Sequence, residues 1–226
     1  TEGSGLYFDG IDDTYIASTA DDILKFYTGA AARMVLDDNS RISLSNNDDG
    51  GNNTIFGKTA GDPDGAGDFN VYIGELAGGA GTQTDDSDYN IGVGYASLTA
   101  LTQGAKNIAI GAGALESMTI GDHNIALGHQ ALMGTSTGQA DDNVAIGYQA
   151  MSGNMGSDQV DDCVAIGSGA LAGALSSSNG ADEASGTVAI GASALAALTS
   201  GAGNIGVGYG ALKQHTTGAR NIAIGF

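Results

Sequence analysis

The chain has 226 residues, with 39 glycines, one proline, one cysteine, no tryptophan and a formal net charge of −19. Only 7 lysines and arginines stand against 26 acids. The clustered cations that grip phosphate backbones or anionic membrane surfaces are therefore missing, and neither nucleic acid nor membrane insertion is expected. One cysteine excludes an intrachain disulfide, and no apolar run is long enough to form a membrane helix.

Residues 1–50 show short alternating stretches: Leu6 to Phe8, Thr14 to Ala17, Ile23 to Tyr27, Arg33 to Leu36 and Arg41 to Leu44. Polar turns such as Asp37-Asp38-Asn39 separate them. The pattern predicts a small β-meander. Five such strands bury little, so this part is expected to need partners. Residues 45–68 are rich in Asn, Asp and Gly and lead into the rest.

From residue 51 to residue 226 one motif returns, Asn-apolar-small-apolar-Gly. It reads Asn107-Ile108-Ala109-Ile110-Gly111, then Asn124-Ile125-Ala126-Leu127-Gly128, then Asn143-Val144-Ala145-Ile146-Gly147. Its closing glycines are Gly57, Gly74, Gly94, Gly111, Gly128, Gly147, Gly167, Gly191, Gly208 and Gly225. Successive numbers differ by 17, 20, 17, 17, 19, 20, 24, 17 and 17. The base unit is the shortest of these, Asn-Ile-Ala-Ile-Gly-x-x-Ala-Leu-x-x-x-Thr-x-Gly-x-x, and the longer units carry insertions.

The alternation within Asn-Ile-Ala-Ile-Gly has the period of a strand. A strand-plus-helix horseshoe needs about 20–29 residues per repeat, so two short strands joined by Gly turns fit this shorter period better. The expected fold is all-β: a parallel β-solenoid, or β-roll, of about ten coils in which each coil pairs its backbone with the next. The Ile/Val columns (Ile91, Ile108, Ile125, Val144, Val164, Val188, Ile205, Ile222, and Leu127, Ile146, Ile166, Ile190, Ile224) are expected inside. A Leu column (Leu98, Leu115, Leu132, Leu171, Leu195, Leu212, with Met151) should close the other side.

Two further columns carry expectations. Asn90, Asn107, Asn124, Asn143, Asn204 and Asn221, with Asn53 and Asn70, should form a hydrogen-bonded amide ladder, broken at Cys163 and Thr187. The second motif position holds Gly92, Ala109, Ala126, Ala145, Ala165, Ala189, Gly206 and Ala223. Read as facing outward, this smooth stripe predicts a seam between subunits, since water would favour polar residues there.

The string Asn-Ile/Val-Ala-Ile-Gly-x-x-Ala-Leu resembles the YadA-like head repeat of trimeric autotransporter adhesins and of related phage tail fibres, over roughly residues 53–226. The stretch from Thr14-Tyr15-Ile16-Ala17-Ser18 through Phe26-Tyr27-Thr28-Gly29 to Arg33-Met34 looks like segments of phage tail fibres and tailspikes. The resemblance implies a left-handed β-roll, a homotrimer, and attachment to a host cell-surface glycan or protein. It favours a non-enzymatic segment of a virion tail fibre, with a head on the bacterial outer surface as the alternative. A polysaccharide-degrading tailspike on a β-helix is a distant third. The repeat is longer than in the adhesin heads, and no coiled-coil stalk or membrane anchor is present. The chain starts without Met and stops at Phe226 within a motif copy, so it reads as part of a longer protein.

No catalytic constellation emerges. Ile108-Ala109-Ile110-Gly111-Ala112-Gly113 mimics a dinucleotide loop, but ten copies of the surrounding motif give it a structural role. His123, His129 and His215 are scattered, without the spacing of a zinc site. Acidic pairs recur at Asp48-Asp49, Asp85-Asp86, Asp141-Asp142 and Asp161-Asp162. Asp62, Asp64 and Asp68 are candidates to wrap Ca²⁺, though solvated turn residues are the expected reading. No cofactor other than that possible Ca²⁺ is expected.

Overall fold

A computed structural model describes residues 6–7, 14–20, 23–28, 31–36, 42–44, 52–61, 67–79, 83–84, 86–134, 140–156, 160–175 and 184–226. All its strands fall in two sheets, and no helix occurs among the described residues.

The first sheet holds β1 (Leu6–Tyr7), β2 (Tyr15–Ala20), β3 (Ile23–Thr28), β4 (Ala31–Leu36) and β5 (Ile42–Leu44). Each strand pairs antiparallel with the next, which is the expected meander. Across β2 and β3 the Tyr15 and Tyr27 rings stack at 4.3 Å. Register shifts at Ser18/Ala20 and Phe26/Tyr27 mark irregularities that bend such ribbons.

The second sheet is parallel, with ten strands in sequence order. They are β6 (Thr54–Phe56), β7 (Val71–Ile73), β8 (Ile91–Val93), β9 (Ile108–Ile110), β10 (Ile125–Leu127), β11 (Val144–Ile146), β12 (Val164–Ile166), β13 (Val188–Ile190), β14 (Ile205–Val207) and β15 (Ile222–Ile224). Equivalent motif positions pair throughout: Ile108, Ile125, Val144 and Val164 are successive partners. Each repeat is thus one turn of a solenoid. At a strand spacing of about 4.8 Å, nine steps span roughly 43 Å.

One expectation fails here. Among the described residues each coil contributes a single short strand to the sheet, not two. The other described residues of the coils run through tight turns in which left-handed residues recur at matching positions. In consecutive coils these are Lys106, Gly113 and Leu115, then His123, Gln130 and Leu132, then Asp142, Gln149 and Met151, with φ between +49° and +66°. A non-glycine residue in this region costs about 1–2 kcal/mol. It is held there because its amide then reaches an adjoining coil. The N–H of His123 donates to Ala105 O (3.0 Å), that of Gln130 to Ala112 O (2.9 Å), and that of Leu132 to Ala150 O (2.9 Å). Coil-to-coil pairing therefore continues around the turns.

A second expectation is inverted. From β7 to β14 the middle residue of the strand is buried and the flanking Ile and Val point away from the coil interior: β10, β11 and β12 alternate half-buried, buried, half-buried. The reason is volume. The core is filled by the Leu column with the Ala beside it (Ala114-Leu115, Ala131-Leu132, Ala170-Leu171, Ala194-Leu195) and by Leu101, Met118, Met155, Leu175 and Leu198. A Cβ on Gly206 would lie 3.2 Å from Leu195 Cγ and 3.2 Å from Ala211 O. Small residues are what fits opposite the Leu column.

Tyr72 tests this rule as its exception. It occupies the inward position of β7 and is fully buried. Glycine stands at two neighbouring sites. A Cβ on Gly78 would sit 2.6 Å from the Tyr72 ring, and one on Gly92 would sit 3.1 Å from it. The Gln83 amide donates to the buried phenol oxygen (2.9 Å), and burial raises the phenol's pKa.

Candidate interaction surface

The outward face of the parallel sheet is two columns of branched aliphatic side chains. Before the buried position stand Ile91, Ile108, Ile125, Val144, Val164, Val188 and Ile205, each half-buried. After it stand Val93, Ile110, Leu127, Ile146, Ile166, Ile190 and Val207. Of these, Ile110 is 44% and Ile190 37% exposed. Parallel sheets are ordinarily covered on both faces. Here the inner face meets the Leu/Ala core, and no described residue of the chain covers the outer one.

Aromatic rings border this face. One row follows the motif glycine: Tyr95, His129, Tyr148, Tyr209 and Phe226, with His129 stacked on Tyr148 (5.6 Å) and Tyr209 on Phe226 (5.5 Å). Ahead of the motif Asn, Phe69 stacks on Tyr89 (5.0 Å). The aliphatic columns and these rings together make an apolar surface.

The predicted seam is corrected accordingly. Ala109, Ala126, Ala145, Ala165 and Ala189 are completely buried inside their own coils, and Ala223 holds the same position in the last one. The five buried alanines are not available to another subunit. The stripe is small because it faces the Leu column, not because a second chain approaches it. The surface with the apolar character of a seam lies one residue away on either side.

The amide ladder is present. Asn107 N–H donates to Asn90 Oδ1 (2.9 Å), Asn124 N–H to Asn107 Oδ1 (2.9 Å), and Asn143 N–H to Asn124 Oδ1 (3.1 Å). Each amide nitrogen in turn donates to a turn carbonyl of the next coil: Asn107 to Gly121 O, Asn124 to Ala140 O and Asn143 to Val160 O, at 2.7–2.8 Å. Asn90, Asn107, Asn124, Asn143 and Asn204 are buried. Asn221 continues the ladder from Asn204 (2.9 Å). Cys163 occupies the same column. Its N–H donates to Asn143 Oδ1 (3.0 Å), and its thiol reaches Ala184 O (3.2 Å). Burial pushes that thiol's pKa up to about 12.

A second ladder runs two residues before the first. Asp122 N–H donates to Asp141 Oδ1 (2.8 Å), Asp141 N–H to Asp161 Oδ1 (2.9 Å), and Asp161 N–H to Ser185 Oγ (3.1 Å). Asp68 N–H likewise donates to Asp88 Oδ1 (2.7 Å). As a sequence these aspartates read as separate turn residues. The signal that joins them is their constant offset from Asn70, Asn90, Asn124 and Asn143. Stacking desolvates Asp141 and places Asp122, Asp161 and Asp142 around it, so its pKa is raised.

Of the Ca²⁺ candidates, Asp62 and Asp64 lie outside the described residues, as do Asp48, Asp49 and Asp85. Asp68 belongs to the aspartate ladder. Among the described residues no three His, Cys, Asp or Glu side chains form a metal-binding group. His123 lies 3.8 Å from Asp142 at the surface, and His215 Nε2 lies 3.1 Å from the Asn221 amide. The dinucleotide-like string forms β9 and the turn after it. A Cβ on Gly111 would lie 2.4 Å from Gly128 O in the next coil, and its φ is +137°, so this glycine serves close stacking of coils.

Comparison with family models, with curated proteins and with solved structures finds no match. The functional reading therefore rests on the geometry of this chain and the resemblance of its repeat.

Proposed function

We propose that the chain is a rigid structural segment of a virion tail fibre, a homotrimer whose three solenoids meet through their outer Ile/Val sheet faces. One observation carries the association: a ten-stranded parallel sheet with an apolar outer face that no described residue of its own chain covers. Closing a face of this kind between copies removes Ile and Val surface at about 25 cal/mol per Å². The resemblance of the repeat to YadA-like heads supplies the number three. The stiffness follows from pairing coil to coil in both the backbone and the amide ladder. In this role the segment spaces and presents a host-attachment region that recognises a cell-surface glycan or protein, and performs no catalysis.

A charge on the outer face tests the association. Ile110→Lys and Ile146→Lys alter residues that point away from the coil interior, so each should abolish the trimer. Lys at Gln130, which lies in a turn, should leave it intact. Location is tested by labelling with antibodies raised against the segment. Labelled virion tails are expected; label confined to the outer surface of bacterial cells would favour the alternative, an adhesin head. Turnover of a purified surface glycan by the segment would instead revive the degrading tailspike.

A further inference from the structure

The side-chain ladder along the Asn column is interrupted at one place. From Asn53 to Cys163 every coil passes an N–H to the Oδ1 of the preceding column residue, as Asn70 does to Asn53 and Cys163 to Asn143. Thr187 follows, after the longest spacing in the repeat, that from Gly167 to Gly191. Neither Cys163 nor Thr187 has a carboxamide oxygen to continue the chain. The Thr187 hydroxyl is fully buried and makes no hydrogen bond. Asn204, whose preceding column residue is Thr187, turns its amide to Gly201 O in its own coil (2.7 Å) as well as to Gly218 O (2.7 Å). The aspartate ladder ends at the same level: Asp161 N–H meets Ser185 Oγ, and the equivalent later positions are Ala202 and Ala219.

Between the coil of Thr187 and that of Asn204 the two columns are joined only through the backbone, by Val188 N–H to Asn204 O (2.8 Å) and Gly203 N–H to Ser185 O (2.9 Å), while away from the columns the Thr199 hydroxyl donates to Thr216 O (2.9 Å). In a solenoid, stability is a sum of coil terms and nearest-neighbour interface terms. An interface without its Asn and Asp ladder bonds, and with a buried unsatisfied hydroxyl, is weaker than those among the coils of residues 90–166, which keep their Asn ladder bonds. We propose that the interface above the coil carrying Thr187 is a built-in joint, and that the block from residue 204 to residue 226 opens as a unit before the coils of residues 90–166. The joint lies within each chain and so does not depend on how many chains associate.

Native-state hydrogen exchange on the full chain tests it, with Thr187→Asn and with Cys163→Asn/Thr187→Asn. An Asn at 187 can donate to Gly201 O and accept from Asn204 N–H, as its counterparts do. The expected wild-type pattern is a step in protection: amides such as Ile205, Gly208 and Gly210 exchange together and faster than Ile108, Ile125 and Val144. Thr187→Asn should slow the first group at least about tenfold, the effect of one or two restored hydrogen bonds, and leave the second group unchanged. The double variant should slow it further. The converse variant, Asn124→Thr, should create a new step at its own coil. Protection that declines smoothly from residue 226 inward, and that Thr187→Asn does not alter, would mean ordinary end fraying and overturn the proposal. So would a common exchange rate on both sides of Thr187.

Discussion

Residue choice in this repeat is governed by which side of a short strand faces the core. Ala126 is buried against the Leu column, so Ala126→Leu overpacks it. The expected loss is about 1–3 kcal/mol, seen as a lower melting temperature with the assembly state unchanged. Had the alanine stripe been the subunit seam, the same change would dissociate the assembly and spare the fold. Asp141 gives the second residue-scale test. Its folded-state pKa is raised, chiefly by desolvation. The native chain therefore holds that proton more tightly than the unfolded one. Its contribution to stability is full below the unfolded value of about 3.9 and is lost as pH rises through the folded value. At pH 7, Asp141→Asn keeps the oxygen that accepts Asp122 N–H and removes the repelled charge. It should raise the melting temperature at pH 7, and the gain should vanish by about pH 3. A gain of equal size at both pH values would contradict the assignment.

At the scale of the element, the coil is held by what its neighbours supply. Asn124 accepts from Asn143 N–H and donates to Ala140 O, so Asn124→Ala strands two buried polar groups. The expected cost is about 1–3 kcal/mol for each group left unpaired, measured by denaturant unfolding. Much of the coil was legible in the sequence: the repeat period, the Asn ladder with its gaps at Cys163 and Thr187, and the buried Leu column from Leu98 to Leu195. The inside-outside assignment was not. Alternation in Ile-Ala-Ile fixes that the two types face opposite ways. It does not fix which way, and hydrophobicity alone sends Ile inward. What decides is the volume left by the Leu column, a tertiary quantity absent from so short a motif. The turns were hidden for a related reason. Leu115 and Leu132 in left-handed backbone contradict local preference and persist because adjoining coils accept their amides.

On the scale of the whole molecule, ten repeats turn each local choice into a column about 43 Å long. The Ile column becomes a continuous apolar face, the aspartates become a carboxylate row, and one Thr in place of Asn becomes a joint. The acidic row brings like charges together in each chain, and a net −19 per chain repels its copies. Added salt should therefore strengthen an assembly closed by apolar contact, since it screens that repulsion and leaves the Ile/Val contact in place. The central claim, that outer sheet faces of three copies meet, is tested most directly by sedimentation equilibrium of the purified chain. The account predicts a mass three times the 22.3 kDa of one chain, falling to that of a single chain for Ile110→Lys. A wild-type chain that sediments as a stable, cooperatively folded monomer would contradict it.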